Sequence, residues 1–414
     1  MVTLETARTA PDRAALPRAY LVWLAGTRAS LVGDAVLYFA LGWAASAHGG
    51  GTGALVLTGI TLSRTVLLLL GGAVGDRFGA RRVMIAGDAV MLAVTVLLAL
   101  AGPRLAPSPW LLTAVAAVIG TVDAFYLPAS ASMPARLVAR PQLPRALALR
   151  QAGGQVASLL GAPLGAVLVA AAGLTGAAAI DAVTFALVLA VLLRIRPGAD
   201  AEPPSREGNL LTAAVDGVRL AATDPVLRPA LLLTAVAAGF LLPVVSLLNP
   251  LLAREHGWGA GSAGLVAGGQ SLGTLTVALL VARRGTVNRV GVGAALGLCG
   301  AALGTAALAT APTAAVAVLG GVAVGTGSGM FACHIGPLVP ANVPATHLSR
   351  VQALLTLVQS LALVLANNAL GALADTAGAV TATALCAAAV CAAGVAGIAS
   401  KPIRRLRLER AADG

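Results

Sequence analysis

The chain contains one lysine, Lys401, among its 28 basic residues. A Walker A loop needs a lysine after its glycines to hold phosphates, so ATP hydrolysis by that route is excluded, and a lysine Schiff base is excluded with it. Aromatic residues make up only 3% of the chain. That is too few for a base-stacking surface, so the net charge of +12 does not point to nucleic acid. Cysteine occurs four times, at 299, 333, 386 and 391, always inside an apolar segment. None has a zinc-site spacing, so they read as small packing residues with no disulfide framework and no metal. The first 18 residues lack a short apolar core with a cleavage site and hold Glu5, Arg8, Asp12, Arg13 and Arg18. The expectation there is a cytoplasmic tail and no signal peptide.

Charge of either sign is scarce, at 11%, while 58% of residues are hydrophobic and the mean hydropathy is +0.89. A globular domain in water carries about 25% charged residues. The apolar residues fall into twelve runs, 19–46, 54–75, 82–102, 109–129, 146–172, 176–195, 229–252, 261–282, 288–309, 313–336, 350–373 and 379–399. A run of about 20 apolar residues crosses the hydrocarbon core of a bilayer as a helix. The expectation is an all-α membrane protein of twelve transmembrane helices, with no room for an appended soluble domain.

The basic residues orient these spans. Arg104 and Arg254 fall in loops on one side, Arg28 and Arg64 fall inside spans, and the rest collect on the side of both termini. That side is read as the cytoplasm. The Ala/Gly/Arg-rich, lysine-poor composition suggests a GC-rich bacterial genome, hence a multi-pass protein of the bacterial inner membrane.

Residues 196–228 form the one long polar stretch. It opens Pro197-Gly198-Ala199-Asp200-Ala201-Glu202-Pro203-Pro204, a linker composition. It continues into 209–222, where Leu211, Val215, Val218 and Ala222 share a helical face, as a helix on the membrane surface would require. The division is therefore 1–195, a six-helix bundle; 196–228, a linker with a surface helix; and 229–414, a second six-helix bundle with a basic tail. Leu143-Pro144-Arg145-Ala146-Leu147-Ala148-Leu149 matches Leu348-Ser349-Arg350-Val351-Gln352-Ala353-Leu354 at an offset of 205, and the same offset carries Gly173 onto Gly378. Tandem repeats of six spans require an offset near half the length.

The loop between the second and third spans is charge-dense and tight: Gly72-Ala73-Val74-Gly75-Asp76-Arg77-Phe78-Gly79-Ala80-Arg81-Arg82. Asp76 ends its helix, where the macrodipole is negative, so it needs a positive partner. The pattern resembles the signature loop of the major facilitator superfamily, G-x-x-x-D-R-x-G-R-K/R, at Gly72, Asp76, Arg77, Gly79 and Arg81, with Arg82 beside them; it departs at Ala80. The resemblance implies the two-bundle fold of that superfamily. It also implies a gate in which Asp76 meets the start of the eleventh span near Ser349 and Arg350. Within the superfamily the chain is similar to the branch of enterobactin exporters and macrolide-type efflux proteins. Ser30-x-x-Gly33-Asp34, Pro128, Pro134, Gly161-Ala162-Pro163-Leu164-Gly165 and Asp216-Gly217-x-Arg219 carry that likeness.

Ionisable groups at membrane depth are functional candidates by default. Asp34 lies in the first span with Ser30 and Tyr38 at four residues either side, one polar stripe. The resemblance implies that the first, fourth, seventh and tenth spans line the cavity. Asp34 is thus a candidate proton carrier. Arg28 is about 240° around the helix from it, so Arg64, at matching depth in the second span, is its expected partner. Asp123, with Tyr126 three residues on, is a second proton candidate. Thr326, Met330 and His334 form a stripe in the tenth span, and Asn249 lies in the seventh; these are candidate cavity residues, with packing hydrogen bonds as the other reading of His334 and Asn249. Asp88, Asp181 and Asp375 fall near span ends and read as solvated or paired.

These residues point to a secondary transporter, not an enzyme. The expected activity is proton-coupled export of a small amphipathic organic compound, such as a drug, antibiotic or siderophore. It would work by alternating access, as a monomer and without a cofactor, on the energy of the proton gradient. Uptake or facilitated passage, lipid flipping or scrambling, and a receptor role are the alternatives.

Overall fold

The computed structural model describes residues 15–101, 107–195, 227–287, 289–342 and 348–405. The expected linker and its surface helix at 209–222 lie outside them. The described residues are helical: a lipid core offers no partner for backbone N–H and C=O groups, so each span satisfies its own. Four helices lead, α1 (Arg18–Ser46), α2 (Gly50–Phe78), α3 (Ala80–Ala101) and α4 (Pro109–Leu137), followed by α5 (Leu143–Arg194). Then come α6 (Leu227–Phe240) and α7 (Asn249–Glu255), joined through a π turn at Val244–Leu248 into one apolar span. The rest are α8 (Ala260–Arg284), α9 (Val290–Ala309), α10 (Ala314–Asn342), α11 (Leu348–Ala399) and the short α12 (Lys401–Arg405). Ten helices are long and apolar enough to cross a membrane, where twelve spans were expected.

The difference lies in α5 and α11, each 52 residues long. A straight helix of that length would run about 78 Å, more than twice the roughly 30 Å hydrocarbon core. Each breaks at a glycine in the left-handed region, Gly173 (φ 62°) and Gly378 (φ 86°), a conformation that a Cβ would strain. These are the two glycines aligned by the 205-residue offset. Along α1, Arg28 meets Gly153, Ala35 meets Gly161 and Phe39 meets Gly165. Yet Gly33 meets Asp181, and Gly26 meets Val188. The two arms of α5 therefore run in opposite directions beside α1. The arms of α11 do the same beside α6 and α7: Gly239 meets Ala362, Ala379 meets Glu255, and Gly397 meets Leu233.

The buried clusters stay within one half of the chain or the other. Tyr20, Trp23, Met84 and Met133 pack together at the terminus end of the first half, and Leu37, Leu112, Ile119 and Phe185 at its loop end. Leu298, Phe331 and Val390 pack in the second half, as do Leu248, Leu252 and Cys386, against which Leu57 of α2 also rests. Glycines set the close approaches: a Cβ at Gly120 would strike the Ile60 backbone, and one at Gly71 the Ala124 carbonyl, so α2 and α4 lie in direct contact.

Candidate transport path and gates

The α1 stripe reaches α4. The Tyr38 hydroxyl donates to Asp123 Oδ2 at 2.9 Å. Ser30 is buried and Asp34 half-buried on the same side of α1. Among the described residues no ion pair joins Arg64 to Asp34, its expected partner, or to Asp123. Gly120 seats α4 on α2 at Ile60, and one turn further on each helix are Asp123 and Arg64.

Asp88 and Asp181, expected near span ends as solvated or paired, are not solvated. Both are fully buried. Asp181 lies on Gly33, and its Oδ1 accepts from the Thr184 hydroxyl at 3.0 Å. Asp181 Oδ2 and both carboxyl oxygens of Asp88 have no hydrogen-bond partner. Tyr126, half-buried, packs on Gly87 next to Asp88. Four carboxyl groups from α1, α3, α4 and α5 thus surround one region of the first half.

The second half places its candidates differently. Thr326 is exposed and Met330 half-buried on α10, consistent with a surface that a solute can reach. His334 is turned into packing. Its Nε2 accepts from the Val287 N–H at 3.2 Å, which leaves Nδ1 to donate to the Met330 carbonyl at 2.7 Å. Both ring nitrogens are used by backbone. Asn249 is buried, and its Nδ2 donates to the Ala263 carbonyl at 2.8 Å, tying α7 to α8.

In the signature loop, Gly79 (φ 85°) ends α2 and lets α3 begin at the next residue. Arg81 donates from Nε to the Leu192 carbonyl at 2.8 Å and from Nη2 to the Leu193 carbonyl at 3.0 Å, capping the end of α5. Arg77 stands 5.5 Å from the centre of the Phe78 ring. The surroundings of Gly72 and the side chains of Asp76 and Arg350 lie outside the described residues, and so does the expected Asp76 contact.

A helix-end acid with a partner in the other half stands at the opposite end. Asp375 ends the first arm of α11, and its carboxylate accepts from Gly50 N at 2.5 Å and Gly51 N at 2.7 Å, the first residues of α2. An acid at its own helix's negative end is satisfied by another helix's positive end. Arg254 donates from Nε to Ser46 Oγ at 2.7 Å and from Nη2 to the Trp43 carbonyl at 2.8 Å, with its guanidinium 4.2 Å from the Trp43 ring centre. Glu255 accepts from Ala379 N at 2.7 Å and fixes the second arm of α11. Asn368 donates to Thr58 Oγ1 at 2.8 Å. Apart from Ser271 to the Ser158 carbonyl near mid-depth, the described hydrogen bonds between the halves all lie at this end. The sequence reading treated Asp375 as a span-end acid and Arg254 as a loop charge. Asp375, like Asp76, is an acid at the negative end of its own helix and needs a positive partner.

No curated protein matches the chain. Among solved structures, the nucleoside transporter NupG is similar with a TM-score of 0.73 at 13% identity, over 92% of this chain and 99% of that one. An auto-inhibited POT-family peptide transporter gives 0.66 at 16% identity over 96% and 99%. A POT-family transporter in complex with a thioalcohol-conjugated peptide gives 0.72 at 13% over 94% and 97%. At such identities the likeness is one of fold. The family assignment comes from the sequence: residues 24–367 match the model of the Major Facilitator Superfamily. With that match spanning most of a chain built from apolar helices, the protein belongs to the major facilitator superfamily of membrane transporters.

Proposed function

We propose that the protein is a proton-coupled exporter of small, amphipathic organic molecules, working by alternating access between two six-helix bundles with twelve crossings and cytoplasmic termini. The observation that carries this reading is the Tyr38–Asp123 hydrogen bond, which links the α1 stripe that holds Asp34 to α4. A carboxyl bonded to a phenol has two arrangements, proton on or proton off. A proton carrier needs such a pair. Asp34 and Asp123 are the proton sites in this account, and Arg64 holds the counter-charge. Thr326 and Met330 on α10 offer a largely apolar surface to the solute, in keeping with the exporter branch that the sequence resembles. Hydrogen bonds join the halves at the loop end, so that end is shut in this arrangement. With cytoplasmic termini it is the external end.

Proton-linked uptake is the second reading. It is favoured by the similarity in fold to a nucleoside transporter and to peptide transporters. The coupling assignment is tested with Asp34→Asn. That variant should lose gradient-driven transport while ligand binding and expression persist. Normal pH-dependent transport in it would remove Asp34 from the mechanism and leave Asp123 as the coupling acid.

A further inference from the structure

A cleft of about 680 Å³ opens between α2, α3 and α4 of the first half. Its size lies within the range of roughly 300–1,000 Å³ typical of small-molecule sites. It forms because Gly79 lets α2 and α3 diverge from a one-residue turn, with α4 as the floor. All of its walls come from α2, α3 and α4. Phe78 and Val90 on its rim are 52% and 45% exposed, so the cleft faces hydrocarbon. Its length from Arg82 to Val90 along α3 is about 12 Å, eight residues of helical rise.

The lining is apolar, with two exceptions. One is Thr121, whose hydroxyl is spent on the Ala117 carbonyl at 2.8 Å. The other is Arg82, exposed at the turn end of the cleft and without a described hydrogen-bond or ion-pair partner for its side chain. Arg77, also exposed, adds a second positive charge at the same turn beside Phe78. An apolar trough with a free guanidinium at headgroup depth matches one kind of molecule, which carries a long hydrocarbon chain and a phosphate.

We propose that this cleft is a binding site for an anionic glycerophospholipid, with one acyl chain lying along the trough and the phosphate on the Arg82 guanidinium. The lipid wedges α2 and α3 apart at the turn that carries the signature motif. A freely diffusing solute fits less well, because all the walls of the cleft belong to one half.

The test uses the full-length protein, purified in detergent and offered phosphatidylglycerol or phosphatidylcholine. Retained lipid is counted by native mass spectrometry. Wild type should hold one phosphatidylglycerol in preference to phosphatidylcholine. Arg82→Gln should weaken that preference by roughly fivefold, the effect of one arginine at an anionic headgroup. Ala86→Phe fills the trough from an exposed wall position, and should reduce retention of both lipids. Arg284→Gln, an exposed arginine at the same end of α8, should change nothing. The proposal fails if Arg82→Gln retains phosphatidylglycerol like wild type, if both lipids are held equally by wild type, or if Arg284→Gln has the same effect as Arg82→Gln. Because Arg82 is exposed, that variant keeps the test valid even if Ala86→Phe does not fold.

Discussion

Asp375→Asn should open the loop end of the protein. The carboxylate accepts two backbone N–H bonds, at 2.5 and 2.7 Å, from the first turn of α2. A hydrogen bond to a charged group contributes about 1.5–3 kcal/mol net, and the helix terminus adds roughly 0.3–1 kcal/mol. Asp375 is exposed, so the low end of those ranges applies. Asparagine keeps one acceptor oxygen and loses the charge, so the loss is about 1.5–2 kcal/mol. That changes a two-state ratio by roughly ten- to thirty-fold, enough to bring a population that is about 30:1 closed near parity. The assay is a pulsed electron–electron distance measurement between spin labels at Trp110 and Ala315. Both are exposed starts of helices at this end, one in each half, and the four native cysteines are replaced by alanine. The closed peak should shrink and a longer-distance peak should grow. Arg254→Gln removes two further bonds and a ring contact from the same end, and should shift the distribution in the same direction. Unchanged distances in both variants would refute the idea that these helix-end charges hold the state.

Two more outcomes follow from the backbone and the charge pattern. Gly173→Ala should lower the thermal midpoint in detergent, because a left-handed backbone costs a residue with a Cβ about 1–2 kcal/mol, and no atom lies within 4 Å to add a clash. Gly378→Ala should cost more, since the Glu255 carboxylate stands 3.1 Å from the added Cβ; midpoints equal to wild type would contradict both. A reporter fused after residue 205 or at the C-terminus should read cytoplasmic, and one placed in 49–53 external. A reversed or odd pattern would overturn the orientation.

The all-helical, apolar build was legible because hydrocarbon imposes one rule on every segment: about 20 apolar residues for each crossing. The internal repeat was legible at Gly173 and Gly378, because only glycine suits the reversal and the offset placed both. Burial within the bundle was less legible. Asp88 and Asp181 lie within two turns of a helix end, and sequence alone does not say whether such an acid faces water or a neighbouring helix; here both face helices. Partner choice was hidden for a similar reason. Depth matched Arg64 to Asp34, but depth does not say how two helices are turned, and no ion pair joins them among the described residues. Asp375 and the α2 start are 325 residues apart in sequence, so their contact could be read only from the general need of a helix-end acid for a positive partner. His334 and Asn249 had two readings, cavity group or packing hydrogen bond, because polarity in a span allows both; backbone carbonyls and an N–H satisfy them here.

The central claim is proton-coupled export, and transport in everted membrane vesicles tests it most directly. A panel of labelled amphipathic compounds is offered outside vesicles whose interior is made acid. The account predicts that at least one compound accumulates inside, that collapse of the pH gradient releases it, and that vesicles carrying Asp34→Asn accumulate none. Accumulation that ignores the gradient, or gradient-driven movement only in the opposite direction, would contradict it.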